Sequence, residues 1–136
     1  MFRSSTQIRV RYAETDKMGY VYYGNYCTYY EIARAETIRQ LGYTYNEMEQ
    51  EGILMPVVKL NVKFIQPAFY DNVLIIETFI KEIPISPFIT FYHKIMNEKK
   101  QLLNIAQVTL AFYNPIEKRK VACPEKLLNI FKQHFT

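Results

Sequence analysis

Asp16 is the residue around which chemistry can be built. The chain has only two aspartates, Asp16 and Asp71, against eleven glutamates. Asp16 stands in the run Tyr12-Ala13-Glu14-Thr15-Asp16-Lys17-Met18-Gly19-Tyr20-Val21-Tyr22-Tyr23-Gly24-Asn25-Tyr26, a loop punctuated by Gly19 and Gly24. Just beyond it, at Asn25, a helix is expected to begin. The first turn of a helix leaves backbone N–H groups unpaired and carries the positive end of the helix dipole. Such donors suit a carbonyl oxygen that gains negative charge during acyl transfer. A carboxylate on the other side of that carbonyl can activate water or attack it directly. The same spacing also suits a plainer role, in which Asp16 accepts backbone N–H groups of its own turn.

Other chemistries lose support. The three serines, Ser4, Ser5 and Ser86, lie in no G-x-S-x-G elbow. His93 and His134 have no metal-ligand partner at i+3 or i+4. With four glycines in all, there is no dinucleotide fingerprint and no Walker-type loop. Cys27 and Cys123 are the only cysteines, too few for a disulfide framework or a cysteine-rich zinc site. No metal and no redox cofactor is expected. His93 falls in strand phase with Ile89, Phe91 and Ile95 and is expected to be half-buried and paired locally. Cys27 is read as an inert helix residue. Lys59, Lys63 and the run Lys118-Arg119-Lys120 are read as solvated, with contact to phosphates as the alternative.

The elements that must position Asp16 follow from pattern. Residues 1–136 read as one domain, and 49% hydrophobic with 22% charged residues excludes a disordered chain. A net charge of +4 is too small to name nucleic acid as a partner, though it suits a phosphate-bearing substrate. No apolar leader and no run of 18 apolar residues is present, so no membrane span and a reduced, cytoplasmic setting are expected. Gln7 to Arg11 alternates as a strand. From Asn25, a plausible N-cap, to Leu41, the residues Tyr26, Tyr29, Tyr30, Ala33, Thr37 and Leu41 form one helical stripe. Glu31, Arg34 and Arg39 lie off it, and Gly42 stops the helix.

Thr44 to Gln50 adds a turn or two of helix. Thereafter the period changes to two. Val58, Leu60, Val62 and Phe64 predict one buried and one wet strand face. A turn at Pro67–Asn72 leads to strands at Val73–Lys81, Phe88–Asn97 and Leu102–Tyr113, with a hairpin at Glu98–Gln101. A closing helix is expected at Glu125–His134, after Pro124. One long helix followed by consecutive strands indicates an α+β fold with an antiparallel sheet wrapped around the tyrosine-rich helix. Open sheet edges, and an outer face carrying Ile65, Phe79 and Phe88, make a homodimer the expected minimum.

The loop and helix start resemble the hotdog-fold acyl-CoA thioesterases of the 4-hydroxybenzoyl-CoA thioesterase family. That family has a pattern close to Tyr-x-x-Thr-Asp-x-x-Gly-x-Val-Tyr-x-x-Asn-Tyr, then a helix with aromatic residues and a glutamate. This chain supplies Tyr12, Thr15, Asp16, Gly19, Val21, Tyr22, Asn25, Tyr26 and Glu31. Met55-Pro56-Val57-Val58 and Pro67-Ala68-Phe69-Tyr70-Asp71 resemble the family's second strand and turn. The resemblance implies a hotdog fold, a five-stranded antiparallel sheet around a long central helix, with dimers joined into a continuous sheet and often into tetramers. It implies hydrolysis of a coenzyme A thioester to free acid and coenzyme A. Asp16 would be general base or nucleophile, and the backbone N–H of Tyr23 would polarise the carbonyl. Many members carry histidine at the place of Tyr23, and relatives often carry arginine near Ser86-Pro87-Phe88, where this chain has none.

Met18, Tyr26, Pro56 and Val57 are expected to line the acyl pocket. An acyl carrier protein is a possible carrier of the acyl group. The rival readings are a binding module for acyl-CoA or acyl carrier protein, and a hydratase. The latter would place a histidine beside the acid, yet none precedes His93.

Overall fold

The structure is a computed structural model that describes residues 1–135. Five strands form one antiparallel sheet in the order β1-β3-β4-β5-β2. They are β1 (Phe2–Arg9), β2 (Val57–Phe64), β3 (Val73–Ile80), β4 (Phe88–Met96) and β5 (Leu102–Ala111). The long helix α1 (Asn25–Gln40) packs against β1 and β3 of the sheet, and the short helices α2 (Tyr45–Gln50) and α3 (Glu125–His134) are tied together by the Glu47–Lys126 ion pair. A two-stranded ribbon of β6 (Tyr113–Asn114) and β7 (Arg119–Lys120) extends β5. The expected α+β architecture is therefore present. Among the described residues, no helix is long and apolar enough to cross a membrane.

α1 buries the expected stripe, with Tyr26, Tyr29, Tyr30, Ala33 and Thr37 all nearly or fully inaccessible. Polar tips on that stripe find specific partners, as buried hydroxyls must. Tyr30 Oη donates to Asn104 Oδ1 on β5 at 2.5 Å, and Thr37 Oγ1 lies 2.5 Å from Ser4 Oγ on β1. The helix thus fixes its rotation by hydrogen bonds as well as by packing. It ends in a Schellman arrangement. Gly42 takes φ +89° and donates to the Arg39 carbonyl, while Tyr43 N–H donates to the Ile38 carbonyl. Thr44 then caps α2 by accepting from Glu47 N–H.

Several expectations need correction. β1 starts at Phe2, because Ser4, Ser5 and Thr6 continue an unbroken register with β3 from Phe2↔Ile80 to Arg9↔Val73. Arg34 is buried, at 6% exposure, although it lies off the aromatic stripe. Asn25 does not cap α1. Gly24 holds that position, and Asn25 Nδ2 instead donates to the Glu14 carbonyl at 2.8 Å. β2 has no buried face: it is one of the sheet's two edge strands, and only Val62 is even half-covered. Alternation reveals which residues share a face, and says nothing of whether another layer covers that face. β5 ends at Ala111, and the chain then turns at Lys118, φ 55°, into the ribbon.

Candidate active site

The Asp16 loop is a small hairpin. Thr15 and Val21 form an antiparallel bridge, Asp16 N–H donates to the Tyr20 carbonyl, and Gly19 N–H donates back to the Asp16 carbonyl. Asp at the first position of such a turn and Gly at the last are the favoured residues. Gly19 takes φ +80°, a conformation glycine adopts without strain. The hairpin docks on the Pro67–Asp71 segment through Val21 N–H to the Ala68 carbonyl and through a Tyr20–Phe69 edge contact at 5.3 Å. Tyr26 closes the same junction from α1, its hydroxyl accepting from Ala68 N–H at 3.2 Å.

Glu14 holds this hairpin to the helix. Its Oε1 accepts from Arg11 N–H and from Tyr29 Oη, each at 2.8 Å, and its Oε2 accepts from the Arg11 guanidinium. Its carbonyl accepts from Tyr22 N–H and from the Asn25 side chain. Burial alone would raise the Glu14 pKa. The Arg11 N–H, the Tyr29 hydroxyl and the Arg11 charge outweigh it and hold the carboxyl below its ordinary 4.5. The sequence reading passed over Glu14, which looks like any of eleven glutamates. Its signal was there: Arg11-x-x-Glu14 spacing, with Tyr29 on the buried stripe.

Asp16 is treated differently by its surroundings. One carboxylate oxygen, Oδ1, accepts Met18 N–H at 2.9 Å. Among the described residues its second oxygen accepts nothing, and the side chain is half-exposed. The helix start is likewise open. The N–H groups of Asn25, Tyr26 and Cys27 reach back three residues, to the carbonyls of Tyr22, Tyr23 and Gly24. The N–H groups of Tyr23 and Gly24 meet no acceptor among the described residues. A Cβ at Gly24 would stand 2.8 Å from the exposed Tyr22 ring, which would then have to turn aside.

Asp16, Met18, Tyr23 and Tyr26 border one open cleft of about 310 Å³, faced across by Phe64, Ile65, Gln66 and Pro67. Four of the six sequence-derived site residues therefore come together. Pro56 and Val57 do not join them within one chain. They sit at the far end of β2, roughly 23 Å from Phe64 by strand rise, where Val57 lines a separate cavity beside Arg34. His93 is fully buried, not half-buried. Its Nδ1 lies 2.9 Å from Thr78 Oγ1 and its ring stacks on Tyr30 at 5.1 Å. Burial, then the charge of Arg34, push its pKa down to about 3. Cys27 is exposed on α1, and burial pushes the Cys123 thiol up to about 12. Lys63 borders a hollow on the outer sheet face together with Lys81 and Lys94. Arg119 is paired with Glu117 at 2.7 Å, and Lys59 is exposed on β2.

A carboxylate with a free oxygen, unpaired amides at a helix start and an apolar cleft between them form a constellation for acyl transfer. Residues 10–131 match the family model described as the thioesterase-like superfamily. The chain belongs to that superfamily. It is 32% identical over 126 residues to the acyl-CoA thioester hydrolase YbgC of Escherichia coli, covering 93% of each chain. It is 42% identical over 82 residues to the putative acyl-CoA thioesterase YneP of Bacillus subtilis, covering 60% of this chain and 59% of that protein. Its fold superimposes on the DHNA-CoA thioesterase of Staphylococcus aureus with a TM-score of 0.91 and 32% identity, covering 98% and 91% of the two chains. The hotdog fold implied by the loop motif is thereby borne out, and so is the enzyme class, thioester hydrolase. Acyl-CoA thioesterase activity is what the relatives' names support.

Proposed function

We propose that this member of the superfamily hydrolyses a coenzyme A thioester at the Asp16 cleft. The observation that carries the reading is that Asp16, with one carboxylate oxygen spare, and Tyr23, whose N–H meets no acceptor among the described residues, border one cleft of about 310 Å³. The thioester carbonyl oxygen accepts the Tyr23 N–H, which strengthens as negative charge develops on it. With Asp16 as general base, a water proton passes to the carboxylate and the hydroxide adds to the carbonyl carbon. The C–S bond then breaks, and the proton leaves on the coenzyme A thiol. With Asp16 as nucleophile, its oxygen adds instead, the thiolate departs, and water cleaves the resulting anhydride. Oxygen-18 from labelled water found in Asp16 after a single turnover supports the nucleophile, through water attack on the aspartyl carbonyl, and its absence favours the base. Met18 and Tyr26 line the acyl side. The reaction needs no metal or redox group. An acyl-CoA is the proposed substrate, and an acyl carrier protein is a second possible donor of the acyl group.

The proposal includes a homodimer formed through β2. That edge is long and apolar, with Val57, Val58, Leu60 and Phe64 all at least 44% exposed. Antiparallel pairing of two β2 edges about a two-fold axis sets the Val57 end of one copy beside the Phe64 end of the other. Pro56 and Val57 of a second copy would then border this chain's Asp16 cleft, which explains why one chain leaves them apart. Two such dimers could join as a tetramer.

The deciding assay follows thiol release from aromatic, short-chain and long-chain acyl-CoAs, with Asp16→Asn beside the parent. Loss of turnover in the variant is expected. The Met18 N–H bond to Asp16 also fits a purely structural loop residue in a non-catalytic acyl-CoA binder. Equal rates in the two proteins would sink the catalytic assignment of Asp16, and tight binding without turnover in the parent would support the binding module.

A further inference from the structure

The outer face of the sheet, turned away from α1, carries charge that the proposed hydrolysis does not use. Lys59 and Lys63 on β2, Lys94 on β4 and Lys81 just past β3 alternate onto this face, and all four are exposed. Lys63, Ile105 and Lys94 stand side by side across β2, β5 and β4. None of the four lysines joins an ion pair among the described residues. The acids nearest them are already engaged, Glu77 by Arg3 at 2.7 Å and, at the edge, Asp71 by Arg9 at 3.2 Å. At the rim, Lys120 lies over the Phe88 ring and Glu82 borders the same loop, so the two offset each other. Without these four lysines, the chain's seventeen lysines and arginines fall to thirteen, equal to its thirteen acids. One face thus holds as many unmatched cations as the net charge of +4.

The aromatic rings on this face are shielded by cations. Lys81 Nζ lies 3.9 Å from the Tyr92 ring centre, and Lys94 Nζ and the Arg3 guanidinium each lie 5.6 Å from that of Phe79. The face therefore lacks the bare aromatic anchor on which a protein partner would centre its contact. Single-stranded nucleic acid finds no open ring on which to stack a base. A second copy laid face to face would set lysine against lysine. What remains is positive charge spread over the sheet, roughly 15 Å from β2 to β3 at strand spacing. A hollow of about 500 Å³ opens among Lys63, Lys81 and Lys94, with no carboxylate in its wall. We propose that the outer face docks on an anionic lipid surface, with a headgroup phosphate held in this hollow by the three lysines. Lysine ammonium groups suit such dispersed negative charges. The two-fold axis of the proposed dimer runs along the sheet normal, so both copies turn this face to the same side. The dimer doubles the contact, while the claim concerns the face of one chain and stands apart from hydrolysis.

The test floats the full chain with vesicles of phosphatidylcholine, alone or mixed with phosphatidylglycerol, at about 0.1 M salt, where charges more than about 10 Å away are screened. Binding to the mixed vesicles and not to pure phosphatidylcholine is expected. Lys59→Gln, Lys63→Gln and Lys94→Gln together should weaken it at least about ten-fold, since one lysine near such a surface contributes about five-fold. All three positions are exposed, so the variant keeps its fold. A control with Lys99→Gln, Lys100→Gln and Lys132→Gln removes the same charge from the β4–β5 hairpin and α3, and should stay within about two-fold of the parent. Asp16→Asn should bind like the parent, so failure of the hydrolytic reading leaves this one standing. Absence of binding to the mixed vesicles, or equal binding to pure phosphatidylcholine, overturns the proposal. Equal loss in the two triple variants also overturns it, because net charge and not this face would then be the cause. Release from the vesicles by duplex DNA at matched charge would assign the face to nucleic acid instead. Tetramers in sedimentation that the outer-face variant dissolves would assign it to a second dimer.

Discussion

Glu14 and Asp16 are two residues apart and have opposite fates. Every oxygen of Glu14 is occupied: its carboxylate and carbonyl together hold Arg11, Tyr29, Tyr22 and Asn25. Asp16 accepts one N–H with its side chain and keeps the other oxygen free at a cleft. A carboxylate whose lone pairs are all engaged is a rivet. Moving a proton onto it or making it attack would first break the bonds it holds. A carboxylate with one oxygen oriented and one spare is positioned and still available. The loop therefore assigns architecture to one acid and leaves chemistry to the other.

The largest expected effect tests that division directly. Asp16→Asn preserves an acceptor for Met18 N–H but removes the charge and the basicity. Steady-state thiol release should fall by roughly 10²–10⁴-fold in kcat, the usual contribution of a general base. Unfolding free energy should change by under about 0.5 kcal/mol, as for a surface substitution that keeps its bond. A variant that loses stability and keeps its rate would invert the comparison.

The complementary break is Tyr29→Phe, which removes one donor from Glu14 and leaves Asp16 untouched. A hydrogen bond to a charged acceptor is at stake, so a loss of about 1.5–3 kcal/mol is expected in urea unfolding. Arg11 adds less, since its side chain is 77% exposed and its ion pair is screened by water. If the rivet view is right, kcat per folded molecule should change far less than in Asp16→Asn.

Acid titration sharpens the contrast further. Glu14 has a folded pKa below its ordinary 4.5. The stability it contributes is fully present above that range and is lost as pH falls through the lower folded value. His93 acts in a different window. It is held neutral in the fold, down to about 3, while the unfolded chain binds a proton near the ordinary 6.5. Stability should therefore begin to decline below pH 6.5 through His93 and steepen below about 4.5 through Glu14. Urea midpoints from pH 7 to pH 3 should show both stages in the parent, and only the first in Glu14→Gln.

What was legible in the sequence follows the range of the forces involved. The α1 stripe, the Gly42 stop, β3, β4 and α3 are set by local period and capping, so residue spacing revealed them. Asp16 stood out because aspartate is scarce and because it precedes a helix start. Glu14 did not, since its partners Tyr29 and Asn25 meet it only after the loop folds back. The exposure of β2 was hidden for a similar reason: strand alternation is local, and sheet order is not. Arg34 illustrates the limit most clearly. Its helical phase is off the aromatic stripe, but α2 and the residues after it close over that side and bury it. Pro56 and Val57 were matched by motif and lie outside the cleft in one chain, so their role passes to the proposed dimer.

The smallest expected effect probes the helix start that Glu14 fixes and Asp16 faces. Gly24 has φ −63°, which alanine adopts freely, so Gly24→Ala creates no backbone strain. Its new methyl would stand 2.8 Å from Tyr22 Cε2. The Tyr22 ring is 48% exposed and can swing into water, giving up its 4.8 Å contact with the Tyr23 ring. Stability should shift by less than about 0.5 kcal/mol. The Tyr23 N–H stays in place, because Glu14 still holds Tyr22 N–H and Asn25 from beneath. The loss should therefore appear in KM, through a disturbed cleft rim, with kcat nearly unchanged. A drop in kcat comparable to that of Asp16→Asn would mean that the Tyr22 ring, and not Glu14, sets the position of the amide.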